Sequence, residues 1–299
     1  MPPSDSAPDS REGELLKWRV GDVTITRILE MEMPFPYSER HPFIAEATPE
    51  ALKPSAWLYP HFVTEEGALR LSIHALLVEA PGLKLIVDTC IGNDRPRRFL
   101  RGQALATPFL EHLAAAGWAR EEVNAVVCTH LHVDHVGWNT MLEGDRWVPT
   151  FPNARYLIGA AEYEHWRADE DPETAIILGD SIQPILEASL ADFVEPDHRL
   201  SDQVRLTPTP GHTPGHVSVL IESAGERAVI TGDLMHHPCQ MAHPDWCAGS
   251  DLDVPVARQT RRRFLEGVAD QPVLVIGSHF AAPTAGHVRR DGEGYRFDD

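Results

Sequence analysis

Apolar and polar positions alternate from Val20 to Leu29, with Val23, Ile25 and Ile28 as the apolar set, which predicts a first strand. Between Met31 and Phe62 that pattern dissolves into prolines, aromatics and charges, so 31–62 reads as a long loop segment. A loop of this length is either functional or a wrap over the sheet, and Trp57, Tyr59 and Phe62 are its candidate pocket walls. Two apolar runs, Leu71 to Ala80 and Leu83 to Val87, flank Pro81-Gly82 and predict a hairpin. Thr107 and Pro108 are placed to open a helix as N-cap and first residue, running to about Ala116 with Gly117 as its stop. Ala125 to Thr129 and Ala154 to Ile158 read as strands, and Ala160 to Ala168 as a helix. Asp180 to Leu190 reads as a second helix, capped by Asp180 or Ser181. Further strands are expected over Val204 to Leu206, Val217 to Ile221 and Ala228 to Ile230, then a helix opened by Asp253 and Pro255 and ending near Gly267. Val273 to Ile276 is the last buried strand expected. The order is β-rich first and helix–strand units later, and two such halves can pack face to face. Residues 1–13, rich in Pro, Ser and Asp, read as a loose tail before a single domain over 14–299.

Composition narrows the function without naming it. A chain of 299 residues, 42% hydrophobic and 24% charged, has the make-up of an ordinary globular protein. With 26 basic against 45 acidic residues the net charge is -19, which repels phosphate backbones and argues against a nucleic-acid partner. No apolar run is long enough for a membrane span, and no basic, apolar leader opens the chain, so a cytoplasmic enzyme acting on a small molecule is expected. The four cysteines form no CxxC pair and read as reduced, mostly buried thiols, with a Cys239–Cys247 bridge as the weaker alternative.

The chemistry concentrates directly after the strand at Ala125, in Thr129-His130-Leu131-His132-Val133-Asp134-His135-Val136-Gly137. Alternate residues of an extended segment point the same way, so His130 and His132 can face one ion together. Asp134 and His135 fall where the chain must turn and can face a second point nearby. Three later strand ends each carry one more ligand-type residue after a small or glycine-containing turn: His212, Asp233 and His279. Any one of these fits a hydrogen-bonded structural residue; four strand ends with matching chemistry do not arise readily by chance. Asp88, past the end of another strand, either supports a ligand histidine or caps a turn.

The set His130-x-His132-x-Asp134-His135, Gly211-His212, Gly232-Asp233 and Ser278-His279 resembles the metallo-β-lactamase fold superfamily of metallo-hydrolases. The resemblance spans about Val20 to Phe297 and implies an α+β fold, a four-layer αβ/βα sandwich of two mixed sheets flanked by helices, with the site at one edge. It puts His130, His132 and His212 on one divalent ion and Asp134, His135 and His279 on the other, with Asp233 bridging. Zinc suits such ligands, as do iron, manganese and cobalt. The activity implied is hydrolysis: a hydroxide shared by two ions attacks a small ester, lactone or organophosphate triester, and Asp134 orients it or takes its proton. Length, the long N-terminal segment and Asp88-Thr89-Cys90-Ile91-Gly92-Asn93 resemble the lactonase and methyl-parathion-hydrolase branch. Where quorum-quenching lactonases of the superfamily place a tyrosine three residues after the bridging aspartate, this chain has His236. That departure resembles the methyl-parathion-hydrolase-like esterases, weakens the case for acyl-homoserine-lactone specificity, and makes His236 a candidate oxyanion donor. The competing functions are a mononuclear iron enzyme like the persulfide dioxygenases and a zinc-binding protein without catalysis. A homodimer is implied by the resemblance alone.

Overall fold

The computed structural model describes residues 15–298; the expected tail over 1–13 lies outside them. In chain order the first half comprises strands β1 (Lys17–Val20), β2 (Val23–Phe35), helix α1 (Pro49–Leu52), β3 (Leu69–Ala80), β4 (Leu83–Val87), α2 (Phe109–Ala115) and β5 (Ala125–Cys128). A small hairpin follows, β6 (Thr140–Glu143) and β7 (Arg146–Pro149), then β8 (Arg155–Gly159), α3 (Ala160–Arg167), α4 (Pro172–Ser181), α5 (Gln183–Glu187) and β9 (Ala191–Val194). The second half has β10 (Val204–Pro208), β11 (Val217–Ser223), β12 (Glu226–Ile230), α6 (Cys239–Ala242), α7 (Val254–Val268), β13 (Val273–Ile276), β14 (Ala285–Asp291) and β15 (Gly294–Asp298).

Seven strands form one sheet in the order β1-β2-β3-β4-β5-β8-β9, and six form the other in the order β10 to β15. Both are mixed: β4, β5, β8 and β9 pair in parallel, as do β12 and β13, whereas the remaining pairs are antiparallel. The central strands are apolar on both faces because each sheet is covered twice. Val127 and Val87 face the inter-sheet core with Val219, Ile230 and Ile276. Their neighbours Val126 and Ile86 face outward onto Phe109 and Leu113 of α2. On the other sheet Val229 and Val275 turn outward onto Leu265 and Val268 of α7. Each aliphatic side chain so enclosed contributes roughly 1.5–3 kcal/mol. The result is the expected four-layer sandwich. No helix among the described residues is long and apolar enough to cross a membrane.

Several local expectations are corrected. β2 runs on to Phe35, past a register irregularity between Leu29 and Met31, so the ladder with β3 claims the start of the expected loop. The rest of that segment lies over the second sheet, with Ile44, Leu52, Leu58 and Phe62 in its outer core. The helix expected from Asp180 is two: α4 begins after Asp171, whose side chain caps it, and ends at Ser181, and α5 follows a break at Ile182. Pro184 has no N–H to extend α4, and Asp180 turns inward to accept from Arg97 at 2.8 Å. Thr107 does not cap α2; its hydroxyl meets Asn93, and Pro108 precedes the first helical residue. The hairpin β14–β15 follows the strand expected to be last, its charged outward residues Arg289, Arg290 and Arg296 having hidden the alternation. All four cysteines are buried and free.

Candidate metal centre

β5, β12 and β13 end at one edge of the sandwich, and β10 shares the sense of β12 because each is antiparallel to β11. The four turns that follow therefore meet across the gap between the sheets. The first brings His130, His132, Asp134 and His135; the others bring His212, Asp233 and His279. All seven residues singled out in the sequence converge. One ligand atom from each of His130, His132, His212 and Asp233 lies within 4.8 Å of the others, and so it is for Asp134, His135 and His279.

Asp233 stands between the two groups. Its Oδ2 is 3.6 Å from His130 Nε2 and 3.3 Å from His212 Nε2; its Oδ1 is 3.3 Å from His135 Nε2 and 3.1 Å from His279 Nε2. Despite these contacts Oδ1 is buried and accepts no hydrogen bond.

Four of the five imidazoles are turned inward by what they meet on their other nitrogen. Asp251 Oδ1 accepts from His212 Nδ1 at 2.9 Å, Asp88 Oδ2 from His135 Nδ1 at 2.9 Å, and the Ser72 carbonyl from His279 Nδ1 at 2.9 Å. Thr129 donates its hydroxyl to Asp88 and so accepts from His130 Nδ1 at 3.1 Å. These partners place the proton on Nδ1 and leave an Nε2 lone pair facing the centre. His132 differs, presenting Nδ1 at 3.0 Å from His130 Nε2 and 2.8 Å from His212 Nε2. Converging lone pairs and an oxygen without a donor repel one another unless a cation lies among them. The donor set, five imidazoles with two carboxylates, fits zinc or a related divalent ion.

The electrostatics of the metal-free chain show the same tension. Burial, reinforced by like-charged neighbours, pushes His130 and His132 well below the usual histidine range. Burial works against the charged form of His279 too, but Asp233 and Asp134 outweigh it and raise its pKa to about 8. His135 is raised in the same way by Asp233, Asp88 and Asp134. Burial would favour a neutral Asp233, yet the histidines around it hold its carboxyl well below the carboxylate range.

His236 points its ring into the site, with Nε2 3.2 Å from Asp233 Oδ2 and Nδ1 buried without a partner. Phe43 meets it edge-on at 5.4 Å, and Phe35 lies 5.4 Å beyond. The expected wall residues sit elsewhere. Phe62 is core, packed against Phe280, Phe297 and His237; Trp57 and Tyr59 are half-buried against that core, and Tyr59 borders a surface cleft with Pro49 and Lys53. Of the N-terminal segment, Phe43 is the aromatic at the site. His216 accepts the Asp233 N–H at 2.8 Å and so positions the carboxylate from behind. Trp138 is a packing residue, stacked on Phe109 and bonded to Glu30.

Sequence reasoning missed Asp251, Glu162 and Glu30, buried carboxylates that serve the site from outside it. No spacing marks them. Asp251 sits beside the N-cap of α7, Glu162 in the first turn of α3 and Glu30 at the β2 irregularity, each ordinary in its local setting.

Comparison with known proteins agrees with this geometry. Residues 68–279 match the Metallo-beta-lactamase superfamily. An N-acyl homoserine lactonase of Bacillus cereus is 30% identical over 230 residues, 73% of this chain and 84% of its own length. Another from a Bacillus species is 29% identical over 224 residues, 71% of this chain and 82% of its own. Among solved structures, AidC, described as a dizinc quorum-quenching lactonase, superposes with a TM-score of 0.78 at 22% identity, covering 95% of this chain and 96% of AidC. The hydrolase AbOPH gives 0.77 at 24% identity over 95% and 96%. With its fold, its His- and Asp-bearing strand ends and these relatives in agreement, the chain belongs to the metallo-beta-lactamase superfamily and is a metal-dependent hydrolase.

Proposed function

We propose that this chain is a dinuclear hydrolase that opens lactones and cleaves small neutral esters, with organophosphate triesters as related substrates. The observation that carries the reading is Asp233, a buried carboxylate with one oxygen toward His130 and His212 and the other toward His135 and His279. His130, His132 and His212 hold one divalent ion, Asp134, His135 and His279 the other, and Asp233 serves both. Zinc is the natural occupant, with iron, manganese or cobalt able to replace it. When bound, such a pair supplies a water acidified to pKa ~7 and a Lewis acid for the carbonyl or phosphoryl oxygen.

The chain's own residues do the rest. The Asp134 side chain is 24% exposed, which leaves it open to a bound substrate. It orients the attacking water and accepts its proton. His236, packed edge-on against Phe43, turns its Nε2 from Asp233 Oδ2, 3.2 Å away, to donate to the oxygen on which negative charge develops. Phe43 and the half-exposed Phe35 flank the apolar part of the substrate. The lactonase names of the sequence relatives support a lactone ring; histidine at position 236 supports a site that also takes open-chain esters.

Metal content per chain, followed by turnover on lactones, esters, phosphotriesters and glutathione thioesters, tests the reading. Two ions with lactone or ester turnover are expected. One iron per chain, with oxygen uptake on glutathione persulfide, would overturn it, and two tightly held ions with no turnover on any class would leave a zinc-binding protein.

A further inference from the structure

Four of the five ligand histidines have a hydrogen-bonding partner on the nitrogen that faces away from the centre. His132 does not: among the described residues nothing hydrogen-bonds its outward Nε2, and its Nδ1 is the atom turned to His130 and His212. What touches it instead is the Trp166 ring, edge-on with centroids 5.1 Å apart. The indole N–H of Trp166 donates to Glu162 Oε1 at 2.6 Å, one helical turn earlier on the same face of α3. The same Oε1 accepts the N–H of Leu131, the residue between His130 and His132, at 3.1 Å. Oε2 accepts the N–H of Gly215, in the turn that carries His212, at 2.9 Å. Glu162 is 1% exposed. The turn reaches it only because position 215 is glycine: a Cβ there would lie 2.4 Å from the Glu162 backbone nitrogen.

We propose that Glu162, acting with Trp166, is the positioning residue of the first metal site, joining the His130–His132 and His212 turns and replacing for His132 the carboxylate, carbonyl or hydroxyl that orients the other four histidines. A buried carboxylate with three N–H donors is fully used, and each donor belongs to an element that carries or packs on a ligand of the same ion. Among the described residues no hydrogen bond joins Glu162 to His135 or His279, whose outward nitrogens meet Asp88 and the Ser72 carbonyl. The consequence is selective. Loss of the Glu162 carboxylate loosens one ion and spares the other. The inference rests on the two-ion reading above, and the test separates the two.

Zinc affinity of each site is measured by competition with a chromophoric chelator in the wild type, E162Q, E162A and W166F, with H132A identifying the first-site ion. Cobalt(II) spectra are recorded alongside. Glutamine keeps one oxygen but sets an NH2 against the Gly215 N–H, so E162Q should bind the first ion at least ~10-fold more weakly, in line with other outer-shell changes. The second ion should stay within about twofold. W166F keeps a ring against His132 but loses the bond to Glu162, and should fall between wild type and E162A with a shifted cobalt spectrum. Unchanged zinc affinity and cobalt spectra in E162A and W166F, or equal loss of both ions, would overturn the proposal. A wild type that holds a single ion would end the two-ion reading; the latch then stands or falls on whether E162Q weakens the ion that H132A removes.

Discussion

At the scale of single residues the centre is a balance of lone pairs and charge, and substitutions should separate its parts. Asp233 touches imidazoles of both groups, so Asp233→Ala should bring activity to background and lower metal content below two ions per chain by elemental analysis. A variant keeping both rate and metal would refute the bridging role. His236 has its ring in the site and no backbone hydrogen bond to that ring, which separates it from His237, whose Nε2 is taken by the Phe62 carbonyl at 2.8 Å. His236→Phe preserves the edge contact with Phe43 and removes the donor. It should cut kcat by ~100- to 1000-fold with both ions retained, and loss of an ion in this variant would make His236 a ligand. The seven residues that converge at the centre were legible in the sequence because their types and strand-end positions are rare in combination. Asp251 and Glu162 were not, because a carboxylate that orients a neighbour across the fold has no local signature.

At the scale of elements, the metal loop after β5 is strapped to the loop after β4 by backbone hydrogen bonds. Thr89 N–H donates to the His135 carbonyl at 2.7 Å, Gly137 N–H to Cys90 at 2.8 Å and Trp138 N–H to Thr89 at 2.7 Å. Glu30 closes the strap from β2 by accepting from Ile91, Gly92 and Trp138. A Cβ at Gly137 would fall 1.8 Å from the Ile91 carbonyl oxygen, and backbone cannot yield by that much. Gly137→Ala is therefore expected to cost about 1–3 kcal/mol and to weaken the ion beside His135. Urea unfolding and zinc competition would check both, and unchanged stability would show that the strap is looser than drawn. In the first sheet β2, β3, β4, β5 and β8 were readable from alternation, apolar runs and the Pro81-Gly82 turn, whereas the short edge strands β1 and β9 were not expected. The division of the 172–187 region into two helices was not expected: Pro184 opens the second, and Asp180, near the end of the first, bonds Arg97, a partner 83 residues away.

Across the whole molecule the centre joins turns from both sheets, so metal occupancy and folding are linked. A ligand that binds the folded chain alone stabilises it by RT ln(1 + [L]/Kd), about 2.7 kcal/mol at a hundredfold excess over Kd. Chelation should lower Tm, and zinc should restore it; an unchanged Tm would place the ions outside the folded framework. The pH dependence has a definite sign. His279, raised to about 8 by Asp233 and Asp134, must lose its proton before its Nε2 can ligate. Zinc affinity should therefore rise as pH increases through about 8, with protons released on binding. In the metal-free chain the stability from the protonated His279 runs oppositely: it is present below the unfolded value of ~6.5 and is lost as pH rises through about 8. Zinc titrations between pH 6 and 9, with proton release followed by calorimetry, would show the first, and a flat profile would contradict it.

The amino-acid sequence by itself determined which His and Asp residues stand at strand ends and the strands that deliver them, because periodicity and strand-end motifs are local properties, and the family resemblance those motifs carry implied the sandwich. Tertiary structure alone decided the rest: that Asp233 faces both histidine groups, that Phe43 rather than Phe62 stands at the site, and that Asp251, Asp88 and Glu162 set the ligands from behind. Each of these is a contact between segments far apart in the chain, chosen by packing against a particular neighbour, and no window of sequence contains both partners.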